Sequence, residues 1–102
     1  MIVEMRRYVL KPGCVGKYYE LYDGAPRELQ QRILGDLVGF YDTEIGGMNQ
    51  LIHLWRYSSF EDRKDRRERL FKEPVWQDFA KNVIPLIETQ ETSLLNPAPF
   101  SD

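Results

Sequence analysis

The 102 residues include only one cysteine, Cys14, and one histidine, His53. A lone thiol excludes an internal disulfide framework and suits a reducing compartment. A metal site would need further His or Cys ligands at coordinating spacing, and neither is there, so no metal and no cofactor is expected. Charge of one sign is also lacking: 14 Lys and Arg against 16 Asp and Glu leave a formal −2. That gives no general attraction to nucleic acid or to an anionic membrane. No apolar run approaches the roughly 18 residues of a membrane span. The opening MIVEMRRYVL alternates as a strand and has no secretory core. The expectation is a cytoplasmic protein without membrane insertion. Glycine-rich phosphate loops and nucleophile elbows are missing too.

What is present is a moderate apolar fraction, 42%, with 13% aromatic residues. That is enough for one core built on rings, in a single domain spanning residues 1–102. Ile2 to Leu10 alternates with period two, and Lys11-Pro12-Gly13 supplies a turn. Val15, Tyr18, Tyr19 and Tyr22 have helical spacing. Pro26 opens a second short helix that runs to Leu34, with Gly35 as its stop. Leu37 to Ile45 reads as a strand, Gly46-Gly47 as a turn, and Gln50 to Tyr57 as the returning strand. Ser58 with Glu61, or Ser59 with Asp62, caps a charged helix. Pro74 starts another, striped by Trp76, Phe79, Ala80 and Val83. Pro85 ends it before a last strand from Ile87 to Leu95.

The order β-α-β-β-α-β is that of an α+β, ferredoxin-like domain. Its four-stranded antiparallel sheet has strand order 4-1-3-2, with helices on one face. Alternation then sorts the strand residues into two sets. Glu4, Arg6 and Tyr8 of the first strand share a set with Leu51, His53, Trp55 and Tyr57 of the third. This set is expected on the face away from the helices, with Ile52 and Leu54 beneath them. So many aromatic side chains need cover, and a second copy of the chain supplies it most simply.

The segment from Glu61 to Glu73 holds six basic and five acidic residues. Asp62–Arg66, Asp65–Arg69 and Glu68–Lys72 are favourable i,i+4 pairs. A phosphate-tracking surface would show unopposed positive charge, so no nucleic-acid binding is expected. The helix is read as a solvated face, away from the surface a second copy would cover, with a narrow seam of Phe60, Leu70 and Phe71. His53 is either a hydrogen-bonded structural histidine or a group that moves a proton or holds a ligand beside Glu4 and Arg6. Glu4 and Arg6 are a structural ion pair or a substrate clamp. Cys14 is read as a packing residue. The hairpin register stays open: a two-residue turn sets Phe40 opposite His53, and a three-residue loop sets Tyr41 there.

Glu4-Met5-Arg6-Arg7-Tyr8 with Lys11-Pro12-Gly13 resembles the opening of NIPSNAP proteins. So do Thr43-Glu44-Ile45-Gly46 with Asn49, His53 to Tyr57, Arg63, Arg67, Pro74-Val75-Trp76, Gln90, and the ending Pro97 to Ser101. Together, in order, these motifs cover nearly the whole chain. The resemblance implies a dimeric α/β barrel closed between two subunits, and it supplies no established activity or catalytic residues. Two readings follow. One is a homodimeric small-molecule-binding or interaction protein. The other is a cofactor-free, monooxygenase-like enzyme acting on a small aromatic or hydrophobic substrate. In both, the candidate pocket residues are Glu4, Arg6, Tyr8, His53, Trp55 and Tyr57. A cavity of about 300 Å³ or more with convergent polar groups would favour a ligand site over a purely structural barrel.

Overall fold

The first strand, β1 (Ile2–Leu10), runs through the middle of the sheet. The chain then turns through Gly13, at φ +78°, into α1 (Val15–Tyr22) and α2 (Ala25–Leu34). Next come β2 (Asp36–Asp42) and β3 (Gln50–Tyr57). They are followed by α3 (Phe60–Phe71), α4 (Pro74–Val83), a short 3-10 turn and β4 (Ile87–Leu95). This computed structural model describes residues 1–101; the last residue of the domain drawn from the sequence lies outside them. The sheet order is β2-β3-β1-β4, entirely antiparallel, which is the expected 4-1-3-2 read from the other edge.

Local chemistry accounts for the element ends. Proline opens α2 and α4, where a missing N–H costs nothing. The Ser59 hydroxyl accepts from the Asp62 N–H at 3.0 Å, so the second of the two cap candidates is the one used. Gly35, at φ +92°, stops α2 in a conformation that side chains with a Cβ disfavour. Phe40 lies opposite His53, the register of a two-residue turn. The ladder nevertheless ends at Asp42, not Ile45, and residues 43–49 form a wider loop. Asn49 at φ 60° and Gly46 at φ 122° turn that loop, which the Thr43 N–H closes onto the Gln50 carbonyl.

The helices cover one face of the sheet, and it is not the face expected. Glu4, Tyr8, Leu51, His53, Trp55 and Tyr57 are buried beneath this chain's own helices. Tyr8 meets the ring of Tyr18 from α1, and α3 sends two arginines to Glu4. Val3, Met5, Val9, Ile52 and Leu54 have the opposite parity and occupy the uncovered face. Ile52 and Leu54 are therefore not beneath the helices. The physical reason is that alternation separates two sets without saying which one the crossovers cover. The hand of the crossovers decides that. Buried charge on the helix side is tolerated because α3 brings compensating charge with it.

Above the covered face, Tyr18, Tyr22, Leu29, Ile33, Leu34, Leu70, Trp76, Phe79 and Val83 complete the core. The rings pack as tilted and edge-on pairs, such as Tyr18 on Phe79 with centroids 5.6 Å apart.

Candidate functional site

Glu4 is fully buried in the first half of β1, where it pairs with Trp55 across the ladder. A carboxylate there needs cationic partners. Arg63 supplies the closest, with Nε and Nη2 both on Oε2. Arg6, two residues along the strand, and Arg67, one helical turn beyond Arg63, each stand 3.8 Å from the same carboxylate. Three guanidinium groups thus surround one carboxylate, leaving a local excess of two positive charges. Arg6 is held by Nε donating to the Tyr8 hydroxyl at 2.9 Å and Nη1 donating to Thr92 at 3.2 Å. Arg67 lies over the Phe71 ring, 5.0 Å from its centroid. Burial, and then the nearby Arg6, pull the Arg67 pKa down.

His53 sits behind this cluster. Phe40 stacks on it at 4.6 Å, and Tyr8 and Trp55 meet it edge-on. The Trp55 indole N–H donates to Nδ1 at 2.7 Å. A neutral ring with an occupied Nδ1 lone pair carries its proton on Nε2. Burial, and then Arg6 and Arg67, lower its pKa to about 3, so it stays neutral. Its Nε2–H and the Tyr57 hydroxyl find no hydrogen-bond partner among the described residues. Burial, then Glu4, push Tyr57 up to about 12.

Next to the cluster is a cavity of about 310 Å³ between the sheet and α1, α3 and α4. Arg6, Tyr8, Arg67, Gln30 and Gln90 supply its polar lining. Leu70, Trp76, Phe79, Ala80 and Val83 give it apolar walls. An open groove of about 900 Å³ lies over α1, α2 and β2. Its Arg27 is already paired with Asp23 at 2.9 Å, and its other charged lining residue, Glu20, is exposed.

All six sequence candidates come together, though under the helices and not on the open face. Only Arg6 and Tyr8 line the cavity; Glu4, His53, Trp55 and Tyr57 stand behind it. Charge pattern alone puts Arg63 and Arg67 outside with the solvated helix, although both belong to the motifs of the family resemblance, and neither is among the six candidate residues. Arg63, Arg67 and buried Leu70 fall at i, i+4 and i+7, one inward stripe, and that spacing was the available signal. Of the expected seam, Phe60 and Phe71 are about half exposed. Among the described residues no group of three or more His, Cys, Asp or Glu could hold a metal ion. No described helix is long and apolar enough to cross a membrane.

The family model described as NIPSNAP matches residues 3–102. This chain belongs to the NIPSNAP family. Protein NipSnap homolog of Dictyostelium discoideum is 31% identical over 92% of the chain, and the human NipSnap homolog 3A is 32% identical over 95%. The chain spans 41% and 39% of those relatives' lengths, so it corresponds to about two fifths of each. A solved NIPSNAP family protein with unknown function from Agrobacterium tumefaciens superposes with a TM-score of 0.94 at 40% identity. That match covers 99% of this NIPSNAP chain and 91% of the other. An antibiotic biosynthesis monooxygenase shares the fold alone, with TM-score 0.66 and 11% identity over 97% of this chain and all of that one.

Proposed function

We propose that this NIPSNAP chain is a small-molecule-binding protein that works as a homodimer. The observation that carries the binding reading is the 310 Å³ cavity, whose lining mixes apolar side chains with Arg6, Tyr8, Gln30, Arg67 and Gln90. That size and lining are typical of a small-ligand site. The experiment is a ligand-detected NMR fragment screen of wild type against Ala80→Phe, which would fill the cavity from its wall. Hits that vanish in the variant are expected; hits that persist would place binding elsewhere.

Binding is favoured over proton transfer because the candidate base is already committed. Nδ1 of His53 accepts from Trp55 and Nε2 carries the proton, so the ring offers a donor and no free lone pair. The dimer is supported by the open sheet face. Val3, Met5, Val9, Ile52 and Leu54 lie there beside the exposed Tyr41 and Leu95, with Arg7 and Glu91 paired among them. An apolar face of that extent suits a second sheet, burying roughly 2,000 Å² in all. The paired charges on α3 and the overall −2 support a protein that leaves nucleic acid alone. The lone thiol supports a reducing, cytoplasmic setting.

A further inference from the structure

We infer that the cavity takes an organic carboxylate with an apolar body, its carboxylate lying on Arg6 and Arg67. This rests on the ligand-binding reading above and names the class of ligand. Glu4 is nearest to Arg63, which bonds it through two nitrogens. Arg6 and Arg67 stand back at 3.8 Å, beyond direct hydrogen bonding, and both line the cavity. Two largely buried guanidinium groups thus share a carboxylate that Arg63 already occupies. Among the described residues, the ion-pair partner of each is Glu4. Three guanidinium groups around one carboxylate leave net positive charge beside the adjoining space, which favours an anion there even with Arg6 also held by Tyr8 and Thr92.

The rest of the lining narrows the choice. Planar guanidinium forks match a planar carboxylate. Leu70 and Phe71 lie in the last turn of α3, and Val83 ends α4, so two helix C-termini border the cavity. Their partial negative charge opposes any anion, and a dianion such as a phosphate monoester more than a monoanionic carboxylate. No glycine-rich loop lines the space to wrap a phosphate with N–H groups. Trp76, Phe79 and Val83 suit a ring or short aliphatic body. At about 30 Å³ per water, the volume equals roughly ten waters, which suits a small acid.

The test compares phenylacetate, phenylacetamide and phenyl phosphate by calorimetry and by 1H-15N NMR titration of the full chain. Phenylacetate is expected to bind about tenfold or more tighter than the amide, with the largest shifts at Trp76, Phe79 and Ala80. Arg67→Gln should erase the preference while the amide still binds, and Arg67→Lys should keep part of it. Equal affinity for acid and amide would overturn the anion assignment and leave the cavity reading standing. Tighter binding of phenyl phosphate would overturn the choice of carboxylate. If no probe shifts the cavity resonances at millimolar concentration, both the assignment and the cavity reading fall. Should Arg67→Gln fail to fold, the wild-type acid-to-amide ratio decides the matter alone.

Discussion

At the scale of single residues, the site depends on groups whose protonation or packing burial has settled. His53 gains a proton near pH 6.5 when unfolded and near 3 when folded. Between those values the unfolded chain binds more protons, so stability rises with pH. The contribution is fully present above pH 6.5 and is lost as pH falls toward 3. Its slope is at most about 1.4 kcal/mol per pH unit. Urea titrations at pH 7, 6, 5 and 4 should show wild type weakening on acidification. His53→Gln keeps an acceptor for the Trp55 indole and should show a shallower fall between pH 6.5 and 5. Identical slopes would mean that His53 is solvated in the folded state. Trp55 is fully buried beneath the chain's own helices, so Trp55→Ala should cost on the order of 3–5 kcal/mol of fold stability. A loss confined to dimer affinity would contradict that placement.

At the scale of elements, α3 is where charge pattern and position parted company. Its i,i+4 pairs Asp62–Arg66 and Asp65–Arg69 form as spacing suggests, at 2.9 and 3.2 Å. Arg66 does more than a surface residue would. Its guanidinium also donates to the Ile33 carbonyl at 3.0 Å, tying α3 to the end of α2. Arg66→Ala should therefore cost about 0.5–1.5 kcal/mol, more than the near-neutral change its sequence context suggests. Arg69→Ala, on an exposed pair, should stay within about 0.5 kcal/mol. Chemical denaturation of both variants checks the contrast, and equal effects would dismiss the tie to α2. Removing Arg63 should be harsher, about 3–5 kcal/mol, because Glu4 would lose its direct partner while buried.

Strand limits, caps and helix starts were legible because glycine, proline, serine and period-two runs act through local sterics and hydrogen bonds. Ile2–Leu10, Gln50–Tyr57 and Ile87–Leu95 came out at their observed limits. The early end of β2 and the side taken by the helices were not legible. One depends on loop conformation around Asn49, and the other on crossover hand. The six candidate residues share one sheet face because parity alone groups them. Arg67 was hidden because its partner, Glu4, lies 63 positions away, a separation only the crossover closes.

For the whole molecule, two surfaces divide the work. The helix-covered face holds the charged cluster and cavity, while the open face carries Val3, Met5, Val9, Ile52 and Leu54, the surface proposed for a second copy. Light scattering at micromolar concentration should therefore give twice 12.1 kDa. Met5→Asp together with Leu54→Asp should shift the protein toward monomer with its cavity intact. A stable wild-type monomer would dismiss the dimer without touching the ligand site, because the two faces are separate. The most direct measurement for the site is a crystal soaked with 4-bromophenylacetate and recorded at the bromine absorption edge. The expected result is an anomalous peak among Trp76, Phe79 and Val83, with the carboxylate on Arg6 and Arg67. A bromine peak between the sheets of two copies, or an empty cavity in a fully soaked crystal, would contradict a ligand site beneath the helices.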